Sequence, residues 1–327
     1  MLQRRLFFPL VALLLVVGML ASLKYGAVDN RWQDVAGALW DFQKNNPAQQ
    51  LIHHLRLPRM LGAVLVGAAL ATAGGLMQGI TANPLADSGL LGINAGAGLG
   101  LAIVFALTGS PNPLVAILAS FCGALVALGF IYLASAKSSF GLQPVKIVLL
   151  GAALSTFFSA VSQCISLLFN LNQDLAFWFV GGTGNVSWLQ VKLALPLIAL
   201  GLIGSFLIAP QITLLSLGDD TAISLGKNPA LIRRLVMGLV LLLAGTAVSL
   251  VGTISFIGLL IPHVVRFFVG YDYRYVIPAT ALLGACFFVF ADIGARLVAP
   301  PLETPVGVLV VLIGVPFLLV QLRRGAL

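Results

Sequence analysis

Charge is scarce in this chain, so every ionisable residue inside an apolar stretch needs a chemical reason. Asp292 and Arg296 stand four positions apart in ADIGAR, on one helix face near the end of a hydrophobic run. A carboxylate at membrane depth is costly and usually paired, which makes Arg296 its natural partner. Arg56 and Arg59 flank Leu57-Pro58, two guanidiniums three positions apart with a proline that favours a helix start between them. Two readings stand for this pair: snorkelling to lipid headgroups at a helix end, or contact with an acidic partner. A different chemistry is offered by Gly151, Ser155, Ser159, Ser162 and Ser166. Their spacing places all five within about 80° of a helix circumference, a small hydroxylated face. It serves either as a packing seam with each hydroxyl on its own backbone or as the lining of a watery passage. His263 follows Pro262 alone and reads as a structural hydrogen-bonding residue. Cys122, Cys164 and Cys286 lie in apolar runs without CxxC spacing and read as small buried residues. There is no HExxH, no GxSxG and no paired acidic motif, so no catalytic residue and no metal ligand is expected. Gly226-Lys227-Asn228 lacks the upstream glycine and following hydroxyl of GxxxxGK[ST]. If ATP and its Mg power this protein, another chain binds them.

The elements that must position these residues follow from composition. Of 327 residues 60% are hydrophobic and 9% charged, with a mean hydropathy of +1.06; soluble domains carry about 25% charged residues. The chain reads as an all-α polytopic membrane protein forming one transmembrane domain over residues 1–327. Apolar runs near 6–26, 60–80, 89–108, 112–134, 146–170, 191–210, 230–251, 253–270, 276–299 and 304–321 make about ten transmembrane helices. Val251-Gly252-Thr253 is a very short break between two of them. Cytoplasmic loops collect Lys and Arg. With the N-terminus inside, eleven of the eighteen basic residues fall on the inner side, and both termini are cytoplasmic. The seven outer ones are Lys24, Arg31, Lys44, Arg56, Arg59, Lys192 and Arg296. Five of these sit in one outer loop, 24–59, where Trp32 and Trp40 suit the membrane interface. The net charge of +8 is absorbed by this asymmetry, so nucleic acid is not an inferred partner. Leu6–Leu23 is too long for a signal-peptide core of about 7–15 residues and reads as a retained helix.

In the second half, one compact polar module interrupts the apolar text, LLSLGDDTAISLGKNP over 214–229. Acids at its front suit a helix N-terminus and glycine behind suits a helix stop, giving one short helix with a turn on each side. Helix connections need about two to eight residues, so the module has a shape of its own beyond joining. Earlier, Gly67, Ala71 and Gly75, then Gly92, Gly96 and Gly100, repeat every four residues, stripes that let helix backbones approach closely in lipid.

These segments together resemble one family. The LG-x6-LG pattern with Ala222 resembles the coupling loop of the membrane subunits of bacterial ABC importers for iron-siderophores and vitamin B12, the FecCD-type permeases of type II importers. RLPR followed by VGAALATAGGLMQ, then NPLADSGLLGINAGA, VGTISFIGLLIPHVVR, GYDYR, ADIGAR, ETPVG and IGVPF follow in the family's order, from about Arg56 to Arg323. Ala82 stands where the family often has a basic residue, and Thr304 replaces a more usual leucine. The resemblance implies the permease of an importer in the bacterial inner membrane, most closely the ferric-siderophore type, with vitamin B12 or haem as alternatives. It implies a separate ATP-binding subunit seated on Leu217, Gly218, Asp219, Asp220, Ala222, Leu225 and Gly226. It implies an extracytoplasmic substrate-binding protein meeting Arg56, Arg59 and Arg296, and a second permease, identical or similar. Ser155, Ser159, Ser162 and Ser166 would then line a central pathway between the two permeases. A secondary transporter is the reading from another class; it needs an ion-coupling group at membrane depth, and only Asp292 comes near.

Overall fold

The computed structural model describes residues 2–26, 28–109, 112–136, 144–171, 175, 178, 180–300 and 302–323. Lys137 and Arg324, two of the inner basic residues, and the side chain of Arg5 lie outside the described residues. The chain runs α1 (Leu2–Lys24), α2 (Trp32–Trp40), α3 (Pro47–Leu51), a π-helical turn (Ile52–Arg56) and α4 (Leu57–Thr81). A 3-10 turn (Ser88–Leu91) precedes α5 (Ile93–Thr108), α6 (Pro113–Ala136), α7 (Pro144–Leu168), α8 (Trp188–Leu215) and α9 (Asp219–Ser224). Then come α10 (Pro229–Val240), a π turn (Leu241–Gly245), α11 (Thr246–Val251), α12 (Ile257–Val269), α13 (Tyr273–Leu297) and α14 (Val306–Arg323). No strand occurs among the described residues. Seven helical stretches are long and apolar enough to cross a membrane, and α5, α12 and α14 are shorter apolar helices, which together answer to the ten expected.

Local chemistry explains where the elements depart from the apolar runs. The segment 24–59 is largely helical and not a loop: α3, the π turn and α4 run on continuously to Thr81. Pro58 has no N–H to give to the turn before it, and the helix widens there, with Leu57 N–H donating to the Ile52 carbonyl. Pro58 thus follows a π bulge inside a longer helix. α2 exposes Trp32 and Trp40 and buries Val35 and Ala38, as an interfacial helix does. At the short break, α11 stops at Val251 and the next helix starts only at Ile257. Gly252 and Phe256 both hold left-handed φ, +78° and +72°. A side chain at Gly252 would collide with the Trp178 carbonyl, so glycine is required there. Non-helical backbone at this depth is tolerated because protein surrounds it, and the Gly182 N–H donates to the Val251 carbonyl at 2.7 Å.

α4 is the axis of the assembly. It is buried nearly all round, against α8, α10, α12 and α13, whereas α1, α6, α7 and α8 leave most of their surface free for lipid or partners. Its close contacts are glycine-built: methyl groups at Gly67 and Gly74 would land on the backbones at Gly284 of α13 and Gly258 of α12. Gly75, expected in the stripe, has nothing nearer than 3.7 Å, so Gly74 is the working position. Gly96 and Gly100 do pack as expected, against Gly123 and Ala119 of α6, while Gly92 is a left-handed cap at φ +71°. Of the three cysteines only Cys286 is buried; Cys122 and Cys164 are exposed on helix surfaces, contrary to expectation, because small apolar residues also suit a lipid-facing wall.

Candidate functional site

The module 214–229 folds as its residues dictate. Gly218 enters with φ +114°, α9 spans six residues, and Gly226 leaves with φ +71°. Gly226 N–H donates to the Ile223 carbonyl at 2.9 Å and Lys227 N–H to the Ala222 carbonyl at 2.9 Å, the paired bonds of a Schellman stop. Asn228 then caps α10 through Leu231 N–H at 3.2 Å. Ala222 is fully buried, whereas Leu217, Ile223 and Leu225 point outward and Asp220 is exposed. Ile223 on the six-residue helix, with Leu217 before it and Leu225 after it, forms an apolar face left exposed among the described residues.

Asp219 does more than favour a helix start. Both of its oxygens accept from Arg233 of α10, at 2.8 Å and 2.6 Å, and the same buried guanidinium donates from Nε to the Ile80 carbonyl at 3.2 Å. One arginine therefore pins the module to the inner end of α4. Arg233 was not singled out from the sequence, since fourteen positions separate it from Asp219. On the same side, Asp272 caps α13 and binds Arg274 at 2.7 Å; the hydrogen bonds from Arg274 hold its carboxyl below the usual carboxylate range.

Arg56, Arg59 and Arg296 gather at one end of the bundle, each buried and hydrogen-bonded within the chain. Arg59 holds Asp292 through Nε and Nη2, both at 3.0 Å, and Glu303 through Nη1 at 2.7 Å. Arg296 reaches Asp292 at 3.1 Å, as expected, and also donates to the Ser22 carbonyl and hydroxyl and to the Tyr25 carbonyl. Arg56 spends itself on the carbonyls of Leu23, Lys24 and Val28. Asp292, only 1% exposed, is therefore shared by two arginines, and it also accepts from the Thr183 hydroxyl. Glu303 and Thr183 went unnoticed in the sequence because no local spacing links them to Arg59. The physical reason for the burial is arithmetic: two carboxylates and several backbone carbonyls are available inside the chain, and a guanidinium with five donors takes them.

The serine face also turns inward. Ser162 and Ser166 are buried and Ser155 and Ser159 half-buried, while Gly151 meets the Leu90 carbonyl so closely that no side chain would fit. α7 lays this face on α5 and the 3-10 turn, so within the chain it is a packing seam. Ser162 and Ser166 sit in this seam, with Ser155 and Ser159 nearer its edge. The exposed side of α7 carries Thr156, Phe157, Ala160 and Gln163.

A second intramembrane carboxylate emerges from the fold. Asn83-Pro84-Leu85-Ala86 is a turn, as expected, with Leu85 N–H donating to Asn83 Oδ1 at 2.9 Å. Asp87, the N-cap of the 3-10 turn, accepts from Ser88 N–H at 2.8 Å and packs on Gly258 in the first turn of α12. No basic side chain lies within ion-pair distance of it among the described residues. The free N–H end of α12 is a favourable place for negative charge. His263 packs edge-on against Phe317, a structural position.

Comparison with known proteins agrees with this arrangement. A model of the FecCD transport family matches residues 14–324. The iron(3+)-hydroxamate import system permease protein FhuB of Bacillus subtilis (strain 168) is 45% identical, over 95% of this chain and 81% of its own. The Fe(3+) dicitrate transport system permease protein FecC of Escherichia coli (strain K12) is 39% identical, over 96% of each chain. The hemin transport system permease protein HmuU of Yersinia pestis is 35% identical, over 98% of this chain and 96% of its own. A solved inward-facing structure of a metal-chelate type ABC transporter superposes with a TM-score of 0.86 and 28% identity, over 98% of this chain and 99% of that one. Matched over nearly its whole length, the chain belongs to the FecCD transport family and is a multi-pass permease of the bacterial inner membrane.

Proposed function

We propose that this chain is the translocating subunit of an ABC importer for ferric siderophores. A separate ATP-hydrolysing subunit drives it, a soluble binding protein feeds it from the outer side, and a second permease, identical or similar, completes it. The observation that carries this reading is the closed module 217–226. A connector would not need a six-residue helix with a Schellman stop, three outward apolar side chains and an arginine tying it to α4. Motion of a subunit seated on Leu217, Ile223 and Leu225 reaches α4 through Asp219, Arg233 and the Ile80 carbonyl. α4 in turn packs on α12 and α13 through glycine contacts that leave little slack. ATP and Mg belong to the partner, and this chain supplies no nucleotide-binding motif.

Ferric hydroxamate as cargo is supported by the permease at 45% identity; haem, named in the 35% relative, and vitamin B12 are the alternatives. The passage is placed between two permeases, bordered by the exposed face of α7 with Ser155 and Ser159 at its edge. The binding protein is proposed to dock over the outer ends of α4 and α13, where Arg56, Arg59 and Arg296 stiffen the floor. A secondary transporter is the competing reading, favoured by one observation, that Asp87 has no ion-pair partner among the described residues. Reconstitution decides between them: uptake of a ferric hydroxamate must require ATP, the ATPase subunit and the binding protein together, and Ala222→Asp must abolish it without preventing insertion. Uptake by the chain alone under a proton gradient, lost in Asp87→Asn, would establish the competing reading.

A further inference from the structure

The coupling module does not stand alone at its end of the bundle. Behind it lies a cleft of about 820 Å³ whose wall begins with Leu217 itself. The other walls are Pro84 in the turn after α4, Arg266 and Phe267 in the last turn of α12, and Tyr271 and Tyr273 at the start of α13. Three separate connections, 82–92, 216–218 and 270–272, thus converge on one hollow. Phe267 is 81% exposed and Tyr271 78% exposed, on a surface continuous with the exposed Leu217.

Arg266 gives the hollow its charge. Its Nη2 donates to Gln78 Oε1 at 2.6 Å and to the Tyr273 hydroxyl at 3.2 Å, both neutral acceptors. No carboxylate lies within ion-pair distance of it among the described residues. Two acids on neighbouring connections are spent, Asp272 on Arg274 and Asp219 on Arg233. Arg266 is therefore a cation fixed in direction by neutral partners and left without a counter-charge, beside exposed aromatic rings.

We propose that this cleft is a second seat for the ATP-hydrolysing subunit, taking an apolar side chain flanked by a carboxylate. The proposal rests on the reading of the module 217–226 as the coupling surface. Leu217 belongs to both surfaces, so a protein seated on α9 meets the mouth of the cleft without a gap. Two exposed aromatic side chains and a half-buried arginine lining one cleft are also residue types that interface hot spots favour. A second seat has a mechanical consequence: it grips the inner end of α12, and that 13-residue helix, about 20 Å long, ends at Asp87 and the broken segment 252–256. The partner would then act on α4 through Arg233 and on α12 through Arg266.

The test uses the full-length permease in nanodiscs of phosphatidylglycerol and phosphatidylcholine, titrated with its purified ATPase subunit. Tyr271→Ser and Phe267→Ser change exposed side chains and leave the fold intact. Combined with Arg266→Gln, Tyr271→Ser is expected to weaken ATPase-subunit binding by about tenfold or more. Arg266→Gln alone is expected to flatten the salt dependence of binding, and Arg266→Lys to restore it. Affinity within about twofold of the parent, while Ala222→Asp abolishes binding, overturns the second seat and leaves the coupling reading standing. Loss of co-purifying phosphatidylglycerol with unchanged ATPase-subunit affinity overturns it in favour of a lipid site. If Ala222→Asp also binds normally, the coupling reading falls and the second seat with it.

Discussion

Replacing Arg59 by methionine removes the guanidinium that holds both Asp292 and Glu303, and the structure says how the cost should compare with its neighbours. Asp292 would lose its contacts at 3.0 Å from Nε and Nη2 while keeping Arg296 at 3.1 Å. Breaking a buried ion pair from one side costs about 3–5 kcal/mol; the remaining arginine places Arg59→Met near the lower end, about 3 kcal/mol. Arg56→Met removes bonds to the neutral carbonyls of Leu23, Lys24 and Val28 and should cost about 1–2 kcal/mol. Glu303→Gln should cost less than about 1 kcal/mol, because the Glu303 side chain is 46% exposed and solvent screens its pair. Reversible unfolding in mixed micelles, followed by tryptophan fluorescence, ranks the three. Adding Asp292→Asn to Arg59→Met should recover part of the loss, because the carboxylate no longer needs compensation. The ranking fails if Arg59→Met and Glu303→Gln are equally mild. It also fails if Arg59→Met weakens binding-protein docking without touching stability, for then the guanidinium faces a partner and not Asp292.

Four further outcomes follow from single contacts. Gly226→Ala strains a left-handed stop and should reduce coupled ATP hydrolysis more than Ser224→Ala, whose side chain bonds only the local Thr221 carbonyl. Gly74→Ala should impair folded yield and Gly75→Ala should not, since a methyl group at Gly74 strikes the Gly258 backbone and one at Gly75 has room. Ser162→Leu, in a buried seam, should lower thermal stability, while Phe157→Leu on the exposed side of the same helix leaves it unchanged. Asp272 is held below the usual carboxylate range by Arg274, so its contribution to stability is present above about pH 4 and is lost as pH falls through its folded value. Acid unfolding of Asp272→Asn should lack that component.

The parts of this molecule that local chemistry dictates could be read before any coordinates. Apolar run length gave the spans, and the capping glycines and acids of 217–226 gave a short helix with a stop, because those bonds close within a few residues. What stayed hidden depends on which chain segment lies opposite. The period of the serines defined a face of α7 but not that α5 and the 3-10 turn cover it. Arg296 was paired with Asp292 by i,i+4 spacing, whereas Arg59 reaches the same carboxylate across 233 positions. Gly75 fitted the four-residue stripe, yet the helix rotation that brings α12 closest selects Gly74. α12 begins six residues after α11 ends because Phe256 is left-handed and Asp87 packs under Gly258, a contact that no apolar profile encodes.

A partner's ATP hydrolysis, delivered through 217–226, is proposed to move an iron chelate through this chain. Accumulation of ⁵⁵Fe-hydroxamate in proteoliposomes containing the permease and its ATPase subunit, with binding protein outside and ATP inside, measures it directly. Accumulation is expected to stop when ATP is omitted and to be absent in Ala222→Asp despite normal insertion. Accumulation by the permease alone, indifferent to ATP and to Ala222→Asp, would rule out ATP-coupled transport through 217–226.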